Sequence, residues 1–183
     1  TVLREVSFDV SLGQMLGLVG ENGAGKSTLM NIIGGVLLPD SGHMAISAAS
    51  YAPHTARDAQ AAGIAFIHQE LNLFPNLTIA ENIFLTQFPI KSWCGRFGGS
   101  IDRRAMLTQS ASLLEQVGLN ASPRQRVDTL SAGERQLLEI AKALQLQPQL
   151  LILDEPTTSL TFRETTRLFE LLRALRSQGI ALI

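Results

Sequence analysis

The chain lacks what several functional classes require. It has one cysteine, Cys94, which excludes an internal disulfide framework and suits a reducing compartment. On its own, Cys94 reads as a small inert side chain. There is no excess of positive charge: 15 Lys and Arg face 16 Asp and Glu, for a net charge of −1. A nucleic-acid backbone therefore finds no basic footprint. No signal-peptide pattern occurs, and no apolar run is long enough to span a bilayer. Any membrane role is expected to come through a partner. With 45% hydrophobic and 17% charged residues over 183 positions, the chain has the composition of a globular domain with a sizeable core. Both ends read as cut. The chain starts inside a strand-like pattern and stops at Ile180-Ala181-Leu182-Ile183, an interrupted strand.

What is present is organised around one stretch, Gly20-Glu21-Asn22-Gly23-Ala24-Gly25-Lys26-Ser27-Thr28. It has the G-x-x-x-x-G-K-S spacing of a phosphate-binding loop. Met15–Val19 before it reads as a buried strand, and Lys26 to about Val36 reads as a helix. In that context the glycines let backbone N–H groups turn toward phosphate oxygens. The helix aims its positive end at the same anion. Lys26 can reach the outer phosphates, and the Ser27 hydroxyl can join a Mg²⁺ shell.

Around this loop the chain reads in order. Val6, Phe8 and Val10 alternate with polar residues, a half-exposed strand, and Leu12-Gly13-Gln14 predicts a hairpin into the phosphate-loop strand. Pro39-Asp40-Ser41-Gly42 is a turn, with a short strand expected near 43–47. A helix is expected over 55–62, stopped by Gly63. Ile64–Ile67 is a short strand that delivers His68, Gln69 and Glu70 to its end. Ligand groups in open α/β sheets gather at the carboxyl ends of strands, so Gln69 suits a metal or water ligand; taken alone it is a loop glutamine. His43, His54 and His68 lack metal-ligand spacing and read as structural or surface residues.

From residue 71 the pattern becomes helical. Thr78-Ile79-Ala80-Glu81 is a capping box. Residues 88–100 read as loop, in which Trp93 and Phe97 offer either a contact patch or local packing. Asp102 caps a helix to about Val117, and Gly118 stops it. Ser131-Ala132-Gly133-Glu134 is a second capping box before an apolar-faced helix with Leu137, Leu138, Ile140, Ala141 and Leu144. Gly133 in a first turn weakens the helix unless a ligand needs close backbone approach, and an exposed helix start with Ser131 and a glycine suits a phosphate. Leu150–Leu153 is a continuous apolar run, typical of a parallel strand covered on both faces. It ends in Asp154-Glu155-Pro156. Beside a phosphate loop, Asp154 can hold the Mg²⁺ shell and Glu155 can orient and deprotonate an attacking water. Thr161-Phe162-Arg163-Glu164 caps a last helix, whose core stripe is Leu168, Phe169, Leu171, Leu172 and Leu175, with Gly179 as its stop.

This order of motifs resembles the nucleotide-binding domain of ABC ATPases over essentially the whole chain. Gly20–Thr28 resembles the Walker A loop and Gln69 the Q-loop glutamine. Leu130-Ser131-Ala132-Gly133-Glu134 is similar to the signature Leu-Ser-Gly-Gly-Gln, with Ala132 and Glu134 as departures. Leu150–Glu155 resembles Walker B with its catalytic glutamate. Thr158–Thr161 occupies the D-loop position, with Thr161 in place of the usual aspartate. The resemblance implies a P-loop NTPase α/β fold: a RecA-like parallel sheet core over 1–71 and 147–183, an N-terminal antiparallel β portion, and an inserted helical subdomain over 72–146. It implies ATP and Mg²⁺ as ligands and a second ABC ATPase domain as partner, whose ATP Ser131, Ala132, Gly133 and Glu134 would contact. Ser131-Ala132-Gly133-Glu134 and the segments Ile67–Leu71, Glu81–Leu85 and Ile101–Met106 together resemble the bacterial carbohydrate importers of the ribose, xylose and galactoside type, in which two such domains lie in tandem. That implies a peripheral place on the cytoplasmic face of the bacterial cell membrane. It also implies a permease contacted by 69–84, including Leu73, Phe74 and Leu77, and indirectly a periplasmic sugar-binding protein. The family's adenine-stacking aromatic and switch histidine fall before Thr1 and after Ile183. Two alternatives stand beside sugar import. One is an ABC ATPase acting on ribosomes or DNA; the repair class carries a long coiled coil between phosphate loop and signature, and none is present here. The other is a nucleotide-binding fragment without turnover.

Overall fold

The computed structural model describes residues 3–91 and 99–183. Cys94, Trp93 and Phe97 lie outside the described residues. The chain forms two compact units: Thr1–Gln69 with Leu146–Pro156 and Leu172–Ile183, and Glu70–Gln145 with Thr157–Leu171. The second unit thus takes in the start of the last helix as well as the stretch rich in capping boxes.

The first unit is built on a parallel sheet of β3 (Ile64–Ile67), β6 (Leu150–Leu153) and β7 (Ala181–Leu182), with β6 in the middle. Its register pairs Ile64 with Leu150 and Ile67 with Leu153. The apolar run of β6 has the expected reason: Leu151 and Ile152 are fully buried. Helix α1 (Lys26–Ile33), the hairpin of β1 (Met44–Ile46) with β2 (Ala49–Tyr51), and α2 (Ala56–Ala61) complete this unit. Met30, Ile33, Tyr51, Ala59, Ile64 and Ile152 form its core cluster. Inside it the Tyr51 hydroxyl donates to the Ile33 carbonyl at 2.6 Å, closing the end of α1. Burial, and then the charge of Asp58, push the Tyr51 phenol up to about 12.

Helix α1 stops at Ile33 rather than Val36. Gly34 and Gly35 follow, and Gly35 has φ 71. The N–H groups of Val36 and Leu37 fold back onto the Asn31 carbonyl at 2.8 and 3.1 Å. The left-handed Gly35 ends the helix by satisfying its last carbonyls, which apolar periodicity cannot report.

Two expectations for the first twenty residues are corrected. Residues 4–10 form no regular strand among the described residues, and Val6 and Phe8 lie exposed. The predicted turn is there: Gln14 N–H donates to the Ser11 carbonyl at 3.0 Å, with Gly13 at φ 69. The flanking hairpin is not. A turn is local chemistry, whereas alternation names a face and not a pairing partner. Met15–Val19 is likewise not a buried strand. It meets the sheet through a parallel bridge of Met15 to Leu182, with Leu16 N–H donating to the Leu182 carbonyl at 2.8 Å. Leu18 packs on the core cluster while Val19 is 98% exposed. The run is apolar throughout, but only its Leu16–Leu18 face is covered.

The second unit packs α3 (Ile79–Ile83), α4 (Arg103–Gln116) and α5 (Ala132–Leu144) against one another. It also holds a short hairpin of β4 (Ile90–Lys91) and β5 (Ser100–Ile101), and the start of α6 (Phe162–Ser177). Thr78 and Ser131 form full capping boxes with Glu81 and Glu134, and Asp102 caps α4 from its carboxylate. The Glu81 carboxyl is held below the usual range, first by the Thr78 hydroxyl and then by the Thr78 backbone N–H. Asn82, fully buried, ties the preceding loop down. Its Oδ1 accepts from Phe74 N–H at 2.7 Å, and its Nδ2 donates to the carbonyls of Phe74 and Thr78 at 3.1 and 3.0 Å.

Candidate functional site

Gly20–Thr28 leads directly into α1. Gly23 and Gly25 take φ 84 and 92, and Gly25 is the N-cap of α1. A side chain at these angles would be strained. Helices α2, α3, α4 and α5 are each closed at the N-terminus by an Asp, Ser or Thr side chain, whereas α1 has no side-chain cap. Its first-turn N–H groups are therefore available to an anion. Lys26 folds back over the loop, its ammonium donating to the carbonyls of Gly20 and Glu21 at 2.7 and 3.0 Å. A cation held over the loop ahead of an uncapped helix start is a fit for a polyphosphate. Ser27, in the first turn of α1, is exposed.

The register of the parallel sheet brings a second group of candidates together. Ile67 faces Leu153, and the ladder runs one step further, with Asp154 N–H donating to the Ile67 carbonyl at 3.0 Å. Two residues beyond each strand, Gln69 therefore meets Glu155, and Gln69 Nε2 donates to Glu155 Oε2 at 3.3 Å. Glu155 holds a left-handed backbone, φ 47, a conformation costly for a residue with a side chain. That turn puts the carboxylate beside Gln69. Gln69 spends its amide nitrogen on Glu155, which leaves the amide oxygen, the atom a hard cation takes. The Asp154 carboxylate and the Ser27 hydroxyl are oxygen donors too, the type that Mg²⁺ takes. Among the described residues no group of three or more His, Cys, Asp and Glu gathers as a transition metal would need. His68 instead lies against Phe66, ring centroids 4.1 Å apart.

The signature-like residues belong to the second unit. Ser131 is exposed at the N-cap of α5, and its hydroxyl accepts from Glu134 N–H at 3.2 Å, while Glu134 Oε2 accepts from Ser131 N–H at 2.8 Å. The departure Glu134 thus serves as the reciprocal cap. Gly133 is buried, and the group that approaches it is Glu164 of α6. In the sequence Glu164 shows only as the cap partner of Thr161. Its contact with α5 is tertiary and leaves no local signal. In the segment after Gln69, Phe74 is exposed, while Leu73 and Leu77 are half-buried.

A phosphate loop feeding a helix, with an acid pair and a glutamine at the carboxyl ends of adjacent parallel strands, defines a P-loop nucleoside-triphosphatase core. The family model described as ABC transporter matches residues 3–158, and the chain belongs to that family. It is 46% identical over 181 residues to the ribose import ATP-binding protein RbsA 1 of Streptomyces avermitilis, covering 99% of this chain and 34% of that protein. It is 44% identical over 181 residues to the arabinose import ATP-binding protein AraG of Rhizobium meliloti, again covering 99% of this chain and 34% of the relative. The chain thus spans about a third of the length of the curated relatives it matches. In fold it is similar to a nucleotide-free ATP-binding cassette from an ABC transporter, with TM-score 0.83 and 24% identity over 99% of this chain and 73% of that one. An ATP-binding cassette in its ADP conformation matches with TM-score 0.77 and 25% identity, over 97% of this chain and 71% of that one.

Proposed function

We propose that this chain is an ATP-binding and ATP-hydrolysing domain of a sugar importer, a reading supported by its relatives' names and by the Gln69–Glu155 pair. The observation that carries the reading is that pair. An amide and a carboxylate that follow adjacent strands, 3.3 Å apart at the strands' carboxyl ends, suit the ordering of one water. Gly20–Thr28 bind the triphosphate, and Lys26 supplies positive charge where negative charge grows in the transition state. Ser27, Asp154 and Gln69 hold Mg²⁺, which when bound neutralises phosphate charge. Glu155 accepts the proton of the attacking water.

The relatives named for ribose and arabinose import favour a monosaccharide as cargo. Partners follow from the same reading. A second ATPase domain receives Ser131 and Gly133 on the outer phosphate of its ATP, a membrane permease is moved by the closing and opening of the pair, and a periplasmic sugar-binding protein delivers the cargo. Phe74, 52% exposed, is the residue of the loop after Gln69 best placed to meet the permease. Among the described residues no helix is long and apolar enough to cross a membrane, and peripheral attachment to the cytoplasmic face through the permease completes the reading. The test is a titration of the full-length protein with ATP and Mg²⁺. Lys26→Ala is expected to weaken binding by about tenfold or more, the loss of a charged contact. Equal affinity in wild type and variant contradicts the phosphate-loop reading.

A further inference from the structure

Gly133 sits in the first turn of α5 and is buried. A Cβ built on it would lie 2.5 Å from Glu164 Cδ and 2.8 Å from Glu164 Cγ. The Glu164 side chain therefore lies directly on the Gly133 backbone. Its two oxygens divide their partners. Oε2 accepts from the Thr161 N–H at 2.8 Å and the Thr161 hydroxyl at 2.7 Å. Oε1 is the oxygen nearest Gly133. The carboxylate that caps the start of α6 thus lies over the first turn of α5. Thr161 and Gly133 together hold the Glu164 carboxyl below the usual carboxylate range, Thr161 contributing most.

The proposed function gives Gly133 N–H another anion, a phosphate of the nucleotide on the second ATPase domain. The Glu164 carboxylate lies over the glycine that would meet that phosphate, and a negative charge against the same helix end repels a triphosphate. We infer that Glu164 is a positioning residue that gates the signature: its carboxylate occupies Gly133 in the unengaged domain and must leave before the partner's nucleotide can be bound there. The inference rests on the ABC-ATPase reading of Ser131 and Gly133, and it adds an intramolecular competitor to that site.

The test uses the full-length protein and reads the ATP concentration for half-maximal hydrolysis against the maximal rate. Glu164→Gln keeps the length and an acceptor for Thr161 but removes the charge. It is expected to lower half-saturation about three- to tenfold, the worth of one like charge removed from a helix N-terminus, with the maximal rate within about twofold. Glu164→Asp keeps the charge and draws it back from Gly133, and an intermediate decrease is expected. A purely structural role would lower the rate or the melting temperature and leave half-saturation unchanged or raised, and that result in either folded variant overturns the inference. Lys26→Ala, run in parallel, separates the failures. If it hydrolyses ATP like wild type, the underlying reading falls. If it is inactive while both Glu164 variants saturate like wild type, only the gate falls.

Discussion

Asn82→Ala offers a quantitative test of how the second unit holds its loop. The side chain is fully buried and makes three hydrogen bonds, one accepted from Phe74 N–H and two donated to the carbonyls of Phe74 and Thr78. The three are not equal. The Phe74 carbonyl also accepts from Leu77 N–H at 3.1 Å, and the Thr78 carbonyl also accepts from Asn82 N–H at 3.0 Å. Those acceptors keep a partner after the substitution. Phe74 N–H loses the acceptor it has in this structure, and an orphaned buried donor costs about 1–3 kcal/mol. With two weaker losses and a small cavity, the expected destabilisation is about 2–4 kcal/mol. Asn82→Asp keeps the acceptor for Phe74 but sets a carboxylate against two carbonyls in a buried site, and is expected to cost at least as much. Denaturant unfolding of the full-length protein, monitored for the transition of this unit, measures both. An Asn82→Ala loss under about 0.5 kcal/mol, the size of a plain surface substitution, refutes the reasoning.

Two further outcomes follow from the first unit. The Tyr51 phenol is raised to about 12 by burial and Asp58, so its neutral form is favoured by folding. Its stabilising contribution is complete below pH 10 and is lost as pH rises from 10 toward 12, on the order of 2 kcal/mol. An alkaline unfolding series should show Tyr51→Phe with a flatter decline over that window, and an equal slope refutes the assignment. Gly35→Ala puts a Cβ at φ 71, 2.8 Å from the Thr55 carbonyl carbon and 3.0 Å from Pro53 Cβ. It is expected to cost about 2–4 kcal/mol in thermal unfolding, and a neutral result would mean that the end of α1 rearranges freely.

Much of this was legible because it is local. The boxes Thr78–Glu81 and Ser131–Glu134 and the Asp102 cap place three helix starts where the sequence expects them, since cap chemistry is written within four residues. The β6 run is legible for another reason: four apolar residues ending in two acids describe a strand whose Leu151–Leu153 stretch is buried up to the acids. The pairing of Gln69 with Glu155 needed the parallel register, which neither strand shows alone. The first twenty residues went wrong where sheet partners decide. Val19 is apolar yet lies outside the sheet's covered face, and Val6 and Phe8 alternate without a strand to meet. Glu164 on Gly133 was illegible altogether, because a glycine announces that something comes close and not what it is.

The central claim is that Glu155 and Gln69, at the ends of adjacent strands, drive hydrolysis of an ATP held by the phosphate loop. The most direct measurement is ATP hydrolysis by the full-length protein against its Glu155→Gln variant, with ATP affinity measured on both. The account predicts a fall in rate of about a hundredfold or more, the reach of one general base, with affinity retained. Equal rates at equal affinity would contradict it.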